Sequence, residues 1–161
     1  MEKKLVLVFD SIRDPRDLAE VIHLGLAAGI RIELCGASLE PSHWKVINIL
    51  DSWLPGYREE PKLKHVTIHA DFILRMKELK KQGYTIIGTT PFAKKNLFKF
   101  NLSQGKHAII FGTETSGLSK EKTALMDEML CVPMKNNTKF FTIRAIAPVF
   151  AFEALRQKKL V

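Results

Sequence analysis

The chain has 161 residues, of which 46% are hydrophobic and 26% are charged, a balance typical of a folded globular protein and not of a disordered one. The 25 lysines and arginines exceed the 17 acidic residues by +8, which favours a polyanionic partner: RNA, DNA or an anionic membrane surface. No apolar run approaches the roughly 20 residues of a transmembrane helix, so we expect a cytoplasmic protein that forms one domain over residues 1–161.

Cysteine usage points to a reducing compartment. Cys35 and Cys131 are the two cysteines, and each lies within an apolar stretch. Cysteine is among the most frequently buried residue types, and the two positions form no metal-binding spacing. We therefore expect two buried, reduced thiols, with neither a disulfide nor a metal site.

Short runs of β-branched and apolar residues recur along the chain, and helical patterns separate most of them. In chain order the strand-like runs are Leu5–Phe9, Ile32–Cys35, Val66–His69, Thr85–Gly88, Ala108–Phe111 and Met129–Val132. This alternation predicts an α/β fold with a mostly parallel sheet flanked by helices. Ligands of such sheets bind at the carboxyl ends of the strands.

The helices are marked by their ends. Asp14 is a suitable N-cap for the first helix, with Pro15 in the first helical position and Gly29 beyond the last turn. A short second helix is predicted over Trp44–Leu50 and a third over Asp71–Lys81. In the last helix, Pro148 predicts a late start or a kink.

The longest polar loop covers residues 89–105 and mixes cations with aromatic side chains. Lys94 and Lys95 lie between Phe92 and Phe98. Cations neutralise phosphates and aromatic rings stack on bases, so this loop is a candidate RNA contact. An ordinary surface loop has the same composition, and that alternative stays open.

A strand ending at Phe111 leads into a glycine-containing loop and then into a short helix that Ser119 can cap. Gly112 and Gly117 allow backbone groups of this loop to approach a ligand closely, because neither carries a Cβ atom. Both common phosphate-binding glycine spacings are absent. Taken alone, such a loop is a weak signal.

The combination of motifs is more specific. The segment IFGTE, residues 110–114, is followed by GLS at 117–119, then by VPM at 132–134, and an apolar helix reaches Glu153. Together these segments resemble the SpoU/TrmH family of RNA methyltransferases in the SPOUT superfamily. The resemblance implies a C-terminal trefoil knot, S-adenosyl-L-methionine as the cofactor, a homodimer, and methyl transfer to a ribose 2′-hydroxyl of tRNA or rRNA.

The resemblance also implies which residues contact the cofactor, largely through their backbone. By position these are Thr89, Thr90, Gly112, Val132 and Phe141.

The first motif of the family departs from its usual pattern in this chain. Asp17 and His23 stand where the family has Asn and a catalytic Arg. An imidazole titrates near neutral pH and can accept a hydroxyl proton, so His23 is a candidate base; the alternative is an ordinary packed histidine. Asp17 is interpreted as an acid of the first helical turn. Glu114 is interpreted as a structural carboxylate, and contact with a basic group of a second subunit is its alternative.

The third motif is also altered. Phe140, Phe141 and Thr142 replace the family's Ser-Leu-Asn, and Thr142 remains able to cap the helix. Arg144 replaces a small residue and forms a basic group with Lys135 and Lys139. This group is a candidate phosphate contact or a substitute for the missing catalytic Arg, and a solvated charged surface is the alternative.

Several cations outside the polar loop are candidate RNA contacts, with a solvated charged surface as the alternative: Arg13, Arg16, Lys135 and Lys139. Because both catalytic motifs are altered, a second function stays open. In that alternative the chain is a catalytically inactive, knotted RNA-binding protein that keeps the fold, with or without the cofactor pocket.

Overall fold

The structure is a computed structural model and describes residues 4–136 and 141–161. Its strands join into one sheet in the order β3-β2-β1-β6-β4-β7-β5. All the pairings between these strands are parallel, which confirms the predicted α/β class. The strands are β1 (Leu5–Asp10), β2 (Arg31–Cys35), β3 (Val66–His69), β4 (Tyr84–Thr89), β5 (Lys95–Asn96), β6 (Lys106–Phe111) and β7 (Glu128–Cys131).

Five α-helices connect or follow these strands in the described ranges. They are α1 (Pro15–Ala28), α2 (Trp44–Trp53), α3 (Phe72–Lys81), α4 (Lys120–Thr123) and α5 (Ile143–Gln157). Across residues 4–136 and 141–161, none of the helices combines the length and the apolar character needed to cross a bilayer.

Helix α1 begins and ends as its sequence predicts. The Asp14 side chain accepts hydrogen bonds from the backbone N–H groups of Arg16 and Asp17, at 2.8 and 3.0 Å. Gly29 ends the helix with a φ of 64°, a left-handed conformation that side chains with a Cβ atom rarely adopt. These caps place the first turn of α1 at the carboxyl end of β1.

Both faces of the sheet are buried, which explains why β1 is hydrophobic without alternation. Leu7 and Phe9 point into a core shared with α1, α2 and α5. Val6 and Val8 point into a smaller core on the opposite face, where α3 packs. The sheet is therefore the middle layer of three, and its strand ends are held in place from both sides.

The structure corrects several local predictions. The polar loop contains the two-residue strand β5 and a 3₁₀ turn over Leu97–Lys99. Helix α2 continues to Trp53, one turn beyond the predicted end. The expected late start of the last helix is wrong, because α5 begins at Ile143 and runs through Pro148.

Two side chains also differ from expectation. Thr142 occupies the N-cap position of α5, but its side chain makes no capping hydrogen bond. Cys131 is half-buried instead of buried, because it ends a strand at the edge of a cavity, whereas Cys35 is buried as expected. Both thiols are free.

Candidate active site

A cavity of about 530 Å³ lies at the carboxyl ends of β4, β6 and β7. These three strands are neighbours in the sheet although other elements separate them in sequence. Their following loops and the start of α5 form the walls, which contain Thr89, Thr90, Pro91, Phe92, Phe111, Gly112, Thr113, Glu114, Gly117, Leu118, Val132, Met134, Phe141, Ile143, Ile146 and Phe150. The cavity therefore occupies the edge of the sheet where parallel α/β proteins bind ligands.

The structure brings together all five residues that the resemblance places at the cofactor. Thr89, Thr90, Gly112, Val132 and Phe141 each line the cavity, although they come from four separate segments. The Thr89 hydroxyl donates to the carbonyl of Ile110 at 3.0 Å. That bond ties the end of β4 to β6 and orients the wall. Cofactor binding by these residues stays a prediction.

The loop after β6 is folded tightly against itself. Thr113 and Gly117 exchange backbone hydrogen bonds of 3.3 and 2.9 Å. A Cβ atom at Gly112 would lie 2.4 Å from the backbone carbon of Gly117 and 2.5 Å from the nitrogen of Leu118. A side chain at position 112 would therefore force this wall of the cavity to move.

Three charged residues from distant segments meet beside the cavity. Asp17 in α1 is only 2% exposed, and Arg144 of α5 donates to it from Nη1 at 3.2 Å. The Asp17 carboxyl is also hydrogen-bonded to the side chain of Glu114, which lines the cavity. We refer to Asp17, Glu114 and Arg144 as the acid-pair cluster.

The environment of the acid-pair cluster changes the acidity of Asp17. Burial raises the pKa of Asp17 from 3.8 to about 7, and the hydrogen bond to Glu114, its charge and the charge of Asp14 act in the same direction. Arg144 acts the opposite way and lowers this pKa. The interpretation of Asp17 as simply a first-turn acid is therefore incomplete, because its carboxyl is buried and holds a proton up to nearly neutral pH.

His23 lies elsewhere. Its half-buried ring packs against Trp53, with the ring centroids 5.9 Å apart. It lines a second cavity of about 230 Å³, between α1 and α5, together with Arg144 and Phe152. Neither His23 nor Thr142 is among the described residues that line the larger cavity.

The predicted RNA contacts near the start of α1 are accessible. Arg13 and Arg16 are both exposed. The Arg16 guanidinium lies 6.0 Å from the ring centroid of Trp53, at the outer limit of a cation–π contact.

The remaining predicted cations differ in their surroundings. Lys94 and Lys135 are exposed, whereas Lys95 forms an ion pair with Glu128 of the neighbouring strand β7. Lys139 lies outside the described residues, as does Phe140.

One ion pair at the strand ends was not predicted from the sequence. Lys122 in α4 donates to the buried carboxylate of Asp10 at 2.6 Å, and its ammonium lies 4.9 Å from the ring centroid of Phe72. Ser119 caps α4 as predicted, accepting from the N–H of Lys122. The pair joins α4 to the end of β1. Within residues 4–136 and 141–161, no group of three or more His, Cys, Asp and Glu side chains is arranged to hold a metal ion.

Comparison with known proteins identifies the family. The sequence profile of the SpoU rRNA Methylase family matches residues 4–141, and the chain therefore belongs to that family, as its motifs predict. The chain is 25% identical over 158 residues to the 23S rRNA (guanosine-2′-O-)-methyltransferase RlmB of Ralstonia nicotianae. That alignment covers 98% of this chain and 60% of the relative, so the chain spans about 60% of the length of this curated protein.

Solved structures share the fold. The SpoU methyltransferase AviRb from Streptomyces viridochromogenes, in complex with AdoMet, matches with a TM-score of 0.81 at 20% identity, covering 100% of this chain and 63% of that one. A structure reported for the 2-OH methylation of C/U34 on tRNA matches with a TM-score of 0.80 at 20% identity, covering 98% and 97% of the two chains. The α/β fold is thus confirmed, while the trefoil knot stays a prediction.

Proposed function

We propose that the protein is an S-adenosyl-L-methionine-dependent RNA methyltransferase that modifies the ribose 2′-hydroxyl of a tRNA or rRNA nucleotide. The observation that carries this proposal is the cavity of about 530 Å³ at the ends of β4, β6 and β7, which gathers all five predicted cofactor residues. Membership of the SpoU family and the names of the relatives support the same activity.

The cavity fits a nucleoside cofactor. Its volume lies within the roughly 300–1,000 Å³ of small-molecule sites. Phe111, Ile146 and Phe150 supply apolar contact area for a purine ring, while the loop at Gly112 presents backbone groups at close range. When bound, S-adenosyl-L-methionine supplies a methyl group made electrophilic by a positively charged sulfur.

Arg144 is the candidate substitute for the family's missing arginine. The family's arginine would project from α1 at position 23. In this chain the guanidinium belongs to Arg144 of α5, and it donates a hydrogen bond to Asp17. A cation here stabilises negative charge that develops on the attacking oxygen or on a neighbouring phosphate. Thr142 precedes α5, and its side chain is exposed and makes no capping hydrogen bond. We propose that its hydroxyl contacts the substrate. His23 is the candidate base predicted from the sequence.

RNA would approach over the exposed rim of the cavity. Phe92 lines the cavity and is 65% exposed, and we propose that its ring stacks on a base of the substrate. The proposed phosphate contacts are Arg13, Arg16, Lys94, Lys95, Lys135 and Lys139. The formal net charge of +8 supports a polyanionic substrate.

We propose that two copies of the chain form a homodimer that completes the site. Each copy would contribute one domain, formed by residues 1–161. The second cavity, between α1 and α5, combines apolar residues such as Pro148 and Phe152 with the polar side chains of Glu20, His23 and Arg144. Phe152 is 44% exposed, and an exposed apolar side chain of this size is suited to burial against a second copy. We place the protein in the cytoplasm, together with its RNA substrate.

The direct test is methyl transfer from radiolabelled S-adenosyl-L-methionine to total RNA, followed by digestion and nucleoside analysis. The expected product is a 2′-O-methylated nucleoside. A label on the base would contradict ribose specificity. Cofactor binding in a titration, without transfer to any RNA, would instead indicate the inactive RNA-binding alternative.

A further inference from the structure

We propose that Glu114, positioned by Asp17 and Arg144, accepts the proton of the attacking ribose hydroxyl. The proposal deepens the function proposed above and rests on it. In this proposal the proton acceptor is a carboxylate that lines the large cavity.

The position of Glu114 favours this role. It lies in the loop after β6, lines the cavity and is exposed, so a substrate can reach its carboxylate. Asp17 lies behind it, buried in the first turn of α1. The hydrogen bond between the two carboxyl groups and the contact from Arg144 to Asp17 restrict how Glu114 can move.

His23 does not line the large cavity of its own chain. It follows Asp17 by six residues, which is about 9 Å along a helix. Its ring packs on Trp53 and faces the second cavity. A base must come within hydrogen-bonding distance of the proton that it removes, and Glu114 is the acidic residue among the described residues that line the large cavity.

A carboxylate can act as the base in this methyl transfer. The hydroxyl oxygen forms a bond to the methyl carbon while the carbon–sulfur bond breaks, and the electron pair of that bond stays on sulfur. The hydroxyl proton passes to a carboxylate oxygen of Glu114. The O–H group becomes strongly acidic as its oxygen bonds to the methyl carbon. A carboxylate is therefore basic enough to take the proton.

The acid-pair cluster makes this step sensitive to pH. Charged groups that act on Asp17 come from three segments: Glu114 after β6, Arg144 in α5 and Asp14 at the N-cap of α1. Below pH 7 the protonated Asp17 donates to Glu114 and withdraws electron density from the base. Once Asp17 ionises, with a pKa of about 7, it no longer donates this hydrogen bond, and the substrate hydroxyl has no competitor for the Glu114 oxygen.

The test compares single-turnover methyl transfer at saturating cofactor between pH 6 and 8 in four full-length proteins: wild type, D17N, E114Q and H23Q. The wild-type rate should rise about tenfold over this interval, following the ionisation of one group, and H23Q should keep that rise. D17N should show no rise, since asparagine does not titrate. E114Q should lose at least about a hundredfold in rate at every pH, with the affinity for the demethylated cofactor measured separately.

A second readout does not depend on activity. Infrared difference spectra of the cofactor-free protein should contain a protonated-carboxyl band that disappears near pH 7 and is absent from D17N. A merely structural Asp17 with an ordinary acidity would give no such band above pH 5.

The outcomes separate this proposal from the proposed function. A pH rise that survives in D17N and is lost in H23Q would identify His23 as the base. Full activity of E114Q would overturn the assignment of Glu114 while leaving the methyltransferase intact. A wild-type protein that methylates no RNA would refute the proposed function, and with it the base.

Discussion

Replacing Asp17 by asparagine should change how the stability of the protein depends on pH. Burial and the hydrogen bond to Glu114 raise the pKa of Asp17 to about 7 in the folded chain, against an ordinary value of 3.8. The folded state therefore keeps a proton that the unfolded chain releases. A raised acid pKa contributes stability at low pH, and that contribution is lost as pH rises from about 4 to about 7.

The magnitude follows from the same two pKa values. Over this window the free energy of unfolding falls by about 1.4 kcal/mol per pH unit for one proton, or about 4 kcal/mol at most in total. The asparagine of the D17N variant cannot ionise, yet its amide can still donate to Glu114. We therefore expect D17N and wild type to be about equally stable near pH 4, and D17N to be more stable by up to about 4 kcal/mol at pH 8.

Two buried histidines and one half-buried histidine titrate in the same window with the opposite sign. Burial lowers the pKa of His65, His69 and His107, the last to about 4, so these residues reduce stability as pH falls below 6.5. They are common to both proteins and cancel when the variants are compared at each pH. The measured quantity is thus the difference in free energy of unfolding, from urea denaturation at several pH values.

A matched control comes from the N-cap of α3. Asp71 is exposed and accepts from the backbone N–H of Leu74, and asparagine caps helices as well as aspartate does. D71N should therefore alter stability by less than about 1 kcal/mol at every pH. A D17N difference of equal size at pH 5 and pH 8 would refute the reasoning about Asp17.

Three further changes test other parts of the site. Gly112→Ala should abolish cofactor binding measured by calorimetry, because its Cβ would lie 2.4 Å from the backbone carbon of Gly117. The control is Gly105→Ala, where the added Cβ meets open space. This variant should leave cofactor binding intact despite the strain of a left-handed backbone. Arg144→Met should raise the pKa of Asp17 further, seen as an upward shift of the infrared titration, since Arg144 lowers that pKa. Lys122→Met should cost about 1–3 kcal/mol in urea denaturation, because it leaves a buried carboxylate at the end of β1 without its cation; an unchanged midpoint would contradict that role.

The sheet could be read from the sequence because its pattern is local. Strands buried on both faces, such as β1, are continuous apolar runs, and the caps Asp14 and Gly29 mark the ends of α1. The two-residue strand β5 was not predicted because two residues carry no periodicity. Its pairing depends on β7, which lies more than thirty positions later in the chain.

Within the site, the resemblance to the SpoU/TrmH family named five of the residues around the large cavity. The sequence placed Thr89, Gly112 and Val132 at the carboxyl ends of three strands, and only the structure shows that these strands are neighbours in the sheet. The acid-pair cluster had one sequence signal, an acid at position 17 and a cation at position 144 where the family has neutral residues. Two altered positions 127 residues apart do not by themselves reveal a contact.

The chemistry of these residues depends on tertiary packing. Arg144 reaches Asp17 only because α5 packs beside α1, and the same packing removes the carboxyl from water. The acidity of a side chain depends on its solvation and on charges within a few ångströms, and neither is a property of its neighbours in sequence. For that reason Asp17 has the sequence context of an ordinary helix acid, and in the folded chain it carries a proton at nearly neutral pH.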